Sequence, residues 1–181
     1  MAGRRAIGLG GLLLVMLLAR PGLCTPDGDA PPETEARNSL LLSLVPLGAA
    51  FGEVRYERAF VQRVTGVLIL GYGRPVVDHP TDDVGELGAQ LRYFVAGNFR
   101  DGAVLALEGI WLQHMDSPLH ERGLATGAKL GWKYAHPIGW TAEFLVGGAW
   151  VVAWGDQLGS GKLHTYGRLQ PSINLGAGWT F

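Results

Sequence analysis

Three groups of residues in this chain carry side chains able to do chemistry. The first is the segment Gln113-His114-Met115-Asp116-Ser117-Pro118-Leu119-His120-Glu121, which holds hydroxyl, imidazole and carboxylate groups close together. Those are the parts of an acyl-transfer site, but a triad needs nucleophile, base and orienting acid in mutual hydrogen-bond reach. No second cluster supports it, so no catalytic residue is assigned. The second group is His79, His114, His120, His136 and His164. They are scattered, without the paired spacing of a zinc site, so neither metal nor cofactor is expected. The third is a set of charges at alternate positions: Glu53, Arg55, Glu57, Glu86, Arg92, Glu108, Lys129, Lys133, Glu143 and Arg168. Their chemistry is ion pairing in a confined space.

The elements that carry those charges read as strands. From His164 onward, Leu169, Pro171, Ile173, Leu175, Ala177, Trp179 and Phe181 fall on one face at period two, and Arg168, Gln170, Ser172 and Asn174 on the other. Strands are expected over residues 38–47, 51–59, 64–73, 84–95, 103–115, 124–135, 140–154 and 164–181. That is an even number, and most match the roughly 9 to 11 residues of a tilted membrane strand. Compact connections at 60–63, 96–102 and 136–139 alternate with longer polar ones at 74–83, 116–123 and 155–163, the first long-side loop at 48–50 being very short. Short periplasmic turns and longer outer loops are the pattern of an up-and-down membrane barrel.

Alternation alone does not say which face points outward, because a soluble barrel reverses it. The aromatic residues choose. Tyr56, Phe60, Tyr93, Phe99, Trp132, Tyr134, Trp140, Trp179 and Phe181 fall at one level, and Phe51, Tyr72, Trp111, Trp150, Trp154 and Tyr166 at the other. Two such girdles are expected where amphipathic rings sit among headgroups. The charged face is then the lumen, with five acids against five bases. Eight strands leave an interior that side chains fill, so balanced charge predicts pairs that plug it. Glu86 with Lys129 is one such pair by register. The apolar inward residues Val67, Ile69, Leu145, Ala149, Val151 and Ala153 allow an alternative, a narrow lumen for a small hydrophobic solute.

The N-terminus predicts export. Arg4 and Arg5 precede an apolar run over 6–19, then Pro21 and a small-residue site ending at Cys24, the pattern of a cleaved signal peptide over 1–24. Cys24 is the only cysteine, so no internal disulfide can form; it is read as the last residue of the leader, with a lipidated first residue of the mature chain as the alternative. Residues 25–37 are acidic, Pro-containing and poor in apolar groups, a disordered periplasmic tail; residues 38–181 are the barrel domain. The formal net charge of -1 gives no reason to expect nucleic acid.

The closing Leu175-Gly176-Ala177-Gly178-Trp179-Thr180-Phe181 and the Val54-Arg55-Tyr56-Glu57-Arg58 of the second strand resemble small eight-stranded outer-membrane barrels, such as the transmembrane part of the outer-membrane protein A family. The resemblance covers essentially all of 38–181. It implies an all-β, eight-stranded antiparallel up-and-down barrel in the bacterial outer membrane. It also implies contact with membrane lipid and lipopolysaccharide, and Trp179 and Phe181 as the signal read by the barrel-insertion machinery. The peptidoglycan-binding domain of that family is not matched, and the His-x-Ser motif of outer-membrane deacylases is not found. The expected role is structural or in surface interaction. A narrow channel or carrier is the alternative, and a lipid A-modifying enzyme the second. Oligomeric state is not predicted.

Overall fold

The computed structural model describes residues 36–44, 50–74, 83–114, 122–156 and 163–181. The assigned signal peptide and nearly all of the assigned tail lie outside the described residues. The last residue of that tail, Arg37, already joins the barrel, its carbonyl accepting the Ala59 amide at 2.7 Å.

Eight strands run in order: β1 (Asn38–Leu44), β2 (Ala50–Val61), β3 (Val64–Arg74), β4 (Val84–Gly97), β5 (Asp101–His114), β6 (Arg122–Ala135), β7 (Trp140–Asp156) and β8 (Leu163–Thr180). Each pairs antiparallel with its sequence neighbours, and β1 closes on β8 to make a barrel. Closure matters because an open sheet would leave a row of unpaired amides and carbonyls. The seam is tied at its end by Asn38 and Phe181, whose backbones exchange hydrogen bonds of 2.9 and 2.8 Å.

Several strands run a few residues past their expected ends, because the ladders continue through irregular pairs where apolar alternation fades. Register shifts lie between Ala59 and Val61 in β2 and between Phe94 and Ala96 in β4. These shorten the first two compact turns to residues 62–63 and 98–100. In the second turn the Asn98 side chain accepts the Arg100 amide at 2.9 Å, an Asx turn that starts β5. Gly97 before it has φ 75°, and a side chain there would run into the Asp101 carbonyl.

β1 does not alternate cleanly in sequence, and pairing decides its register. Asn38 lies opposite Arg58, which turns Ser39, Leu41 and Ser43 inward and Leu40 and Leu42 outward. The outward face of the barrel is mostly apolar: Leu68, Leu70, Leu87, Leu91, Leu107, Leu130, Val146 and Leu169 are all exposed. In water so large a contiguous patch would be a liability; against acyl chains it is the favourable surface. The exposed apolar belt therefore suggests a membrane-embedded barrel.

Replacing Gly97 by Val forces a β-branched residue into left-handed backbone and against Asp101, at a cost of about 2 kcal/mol or more. The temperature at which the folded band disappears on a gel is expected to fall; an unchanged value would show that the turn relaxes freely.

Candidate functional site: the charged lumen

The two-residue period of the strands aims the charges at one another. On β2, Glu53, Arg55 and Glu57 all point inward, and Arg55 binds Glu53 (Nε to Oε2, 2.7 Å). Arg55 also reaches across the barrel to Glu143 on β7, with Nη1 to Oε1 at 2.9 Å. Arg92 on β4 approaches the same carboxylate from another side, Nη1 to Oε2 at 2.7 Å and Nη2 to Oε1 at 3.2 Å. Glu143 is thus held between two guanidiniums. Arg92 continues to Glu57 at 3.3 Å, and Glu57 accepts from Lys133 at 2.7 Å and from the Thr65 hydroxyl at 2.6 Å.

The network spreads in two directions from there. Towards the compact turns, Lys133 donates to Ser39 at 2.8 Å, and the hydroxyls of Ser39, Thr180 and Thr141 form a chain of 2.7 and 2.6 Å links. In the other direction, Arg92 Nε donates to Gln90, whose amide donates to Glu108 at 2.7 Å. Lys129 then joins Glu108 at 2.7 Å to Asn174. Four carboxylates and four cations form one connected system. Arg55, Arg92, Glu57 and Lys133 are 0% exposed, so solvent does not reach the middle of the lumen from either end.

Such burial is tolerable because the pairing is complete; each ion taken from water loses several kcal/mol of hydration, which partners and neutral hydrogen bonds must replace. The guanidiniums suit this position, since a planar fork can serve two carboxylates at once.

Eight of the ten charges named from the sequence come together in this network, and Glu86 does not join it. The expected pair of Glu86 with Lys129 is not formed. Glu86 aligns with Leu112 on β5, which aligns with Gly123 on β6, six residues along the strand from Lys129. Lys129 has closer partners in Glu108 and Asn174, and Glu86 Oε2 is buried without a hydrogen-bond partner. Arg168, on the inward register of β8, is exposed near the long-loop end. Charge counting missed the neutral members Ser39, Thr65, Gln90, Thr141, Asn174 and Thr180. Gln90, Thr141, Asn174 and Thr180 share the parity of a charge on their own strand, whereas β1 and β3 carry no charge of the parity of Ser39 and Thr65.

Apolar groups close the spaces beyond the charges. Towards the compact turns, Phe94 and Phe99 meet edge to face with ring centroids 6.5 Å apart, and the Lys133 ammonium sits 3.6 Å from the Phe99 centroid. Phe99 is therefore a lumen residue and not the girdle aromatic its sequence level implied, because the Asx turn folds it back inside. A second cluster, Val67, Ile69, Ile110, Ala125 and Ala149, is packed together, with Leu112 and Val151 against it. The inward apolar residues thus pack on one another.

Outside, Phe60, Tyr93, Trp132, Trp140, Trp179 and Phe181 are exposed around the compact-turn end, and Tyr72, Trp111 and Trp150 around the other. The side chains of Phe51 and Tyr166 lie outside the described residues. His136 stacks on Trp140 at 5.6 Å, and its Nδ1 accepts the Ile138 amide, a turn-forming role. His79, His120 and the Asp116–Ser117 part of the acyl-transfer cluster lie outside the described residues. Among the described residues no three metal-ligating side chains converge.

Fold and lumen together define an eight-stranded antiparallel barrel with paired charges inside and an apolar wall outside. No protein-family model matches the chain, and no curated protein matches it in sequence.

Removing the shared acceptor should expose the network's dependence on it. Glu143→Ala leaves Arg55 and Arg92 facing each other and is expected to cost about 3 to 5 kcal/mol. Glu86→Gln removes a carboxylate with an unpartnered oxygen and is expected not to lower stability. Urea unfolding in micelles, followed by tryptophan fluorescence, checks both; equal effects would mean that the network does not support the fold.

Proposed function

We propose that this protein is an integral outer-membrane barrel of a Gram-negative-type envelope, with a structural or surface-interaction role and a lumen closed by its own ion pairs. The observation that carries this reading is the zero exposure of Arg55, Arg92, Glu57 and Lys133 at mid-lumen. A bulk pore keeps its charged constriction wet, since ions must exchange hydration for the lining groups as they pass. The apolar wall and aromatic girdles support the membrane, and the resemblance of the second and last strands to the outer-membrane protein A family supports the outer one. On that reading the exposed Trp179 and Phe181 serve as the insertion signal, and the partners are outer-membrane lipid, lipopolysaccharide and the insertion machinery.

A narrow channel is the second reading, favoured by one detail. Glu143 is shared by two guanidiniums, so a swing of either towards Glu53 or Glu57 changes partners without leaving a charge bare. The protein is proposed to be no enzyme. A lipid A-modifying activity would rest on His114 and Ser117.

Three measurements separate these readings. Mobility of the outer-membrane fraction in SDS, with and without boiling, is expected to shift, and a soluble periplasmic protein with no shift would replace this reading with a lipocalin-like binding barrel. In a planar bilayer the folded protein is expected to give no discrete current steps; steps altered by Glu143→Gln would establish the channel. The lipid A mass of expressing cells is expected to be unchanged, whereas a change abolished by Ser117→Ala would establish the enzyme.

A further inference from the structure

The outer wall of the barrel has a groove at the β2–β3–β4 face, near the compact-turn end. Arg58, Gly66 and Leu91 form one outward row across the three strands, and Tyr56, Leu68 and Ala89 the next. Ala89 leaves a shallow floor between larger neighbours, and Gly66 makes room for a ring laid over it. The irregular pairing between Ala59 and Val61 re-aims Phe60, whose ring swings over Gly66; a methyl group at Gly66 would lie 2.7 Å from it. The result is a space of about 520 Å³ walled by Tyr56, Arg58, Phe60, Leu68 and Leu91.

Charge around the groove is one-sided. Among the described residues of β1 to β4 the acids are Glu53, Glu57 and Glu86, all on the inward parity of their strands. Arg58, and Arg63 in the turn, are exposed. A cation on a lipid-facing wall is costly at mid-bilayer and far less so near the interface, where its stem can lie along apolar surface and its head reach the headgroups. The exposed Phe60 and Tyr93 beside it are interfacial residues in type.

We propose that this groove binds one phospholipid of net negative charge, with an acyl chain over Ala89 along the Phe60 ring and the phosphate against Arg58. The proposal rests on the membrane reading above and adds a lipid preference to it. The wall supplies what such a ligand needs: an apolar trough that a chain fills better than a flat strand surface does, and a guanidinium for the phosphate at the level where a headgroup sits. A zwitterionic lipid fits the trough equally but brings its own cation beside Arg58 and Arg63.

Native mass spectrometry of the full-length protein in neutral micelles tests this, with phosphatidylglycerol, phosphatidylcholine and inorganic phosphate added separately. Phosphatidylglycerol is expected to be retained about ten-fold more strongly than phosphatidylcholine, the worth of one hydrogen-bonded charge pair. Arg58→Gln should remove that preference while leaving chain binding intact. Ala89→Phe, which fills the floor, should weaken retention of both lipids. Equal retention of the two lipids by the wild type, or undiminished preference in Arg58→Gln, would overturn the proposal. Displacement of phosphatidylglycerol by inorganic phosphate alone would also overturn it, leaving a free-anion site. Each variant is first checked for the boiling-dependent mobility shift. Loss of the shift in the wild type would sink the membrane reading itself, whereas a retained shift without lipid preference would sink only this inference.

Discussion

The narrowness of an eight-stranded barrel is the constraint from which most of this molecule follows. At that strand number the interior is one layer of side chains across, so a group pointing inward meets groups from the opposite wall and little else. Charged residues placed there must find one another. Glu143 shows the consequence: carried on β7, it is bound by Arg55 from β2 and Arg92 from β4, so one carboxylate ties three strands together. Pairing between adjacent strands sets the ladder, and these cross-lumen contacts fix the cross-section. Apolar packing in the lumen is confined to what lies on either side of the charges, Phe94 and Phe99 in one cluster and Val67, Ile69 and Ile110 in another.

The same constraint accounts for the inverted character of the fold. A soluble domain puts its apolar groups inside; here polar groups occupy the interior and Leu, Val and aromatic side chains the outside. Such a wall suits a surrounding of hydrocarbon, which a closed ladder permits by satisfying its amides within the sheet. The outer wall is not uniform, however. Where Gly66 and Ala89 thin it and a bulge re-aims Phe60, the wall acquires shape, and Arg58 gives that shape a charge.

Much of this was legible in the sequence. The strand count, their order and the alternation of compact and long connections follow from period-two patterning, because a strand has only two faces and a barrel gives each a different solvent. Membership of the charge network was legible for the same reason: Glu53, Arg55 and Glu57 share a parity whatever their partners. Partner identity was not. Glu86 and Lys129 looked paired, yet Glu86 is offset along the barrel and makes no bond to Lys129, which turns to Glu108 and Asn174. Parity says which side a residue faces, while partnership depends on the stagger between strands distant in sequence.

Phe99 makes the same point at a turn. Its position in the chain put it at a girdle, but the Asx turn at Asn98 and the left-handed Gly97 bend it back beneath Lys133. Local alternation, set by the extended backbone, determined the architecture, the two faces and the composition of the lumen. Closure of the sheet decided everything that needs two distant strands at once: the sharing of Glu143, the neutral hydroxyls and amides that complete the network, and the orphaned oxygen of Glu86. The physical reason is that covalent geometry fixes the direction of a side chain within a strand, whereas the distance between side chains on different strands is fixed only when the barrel shuts.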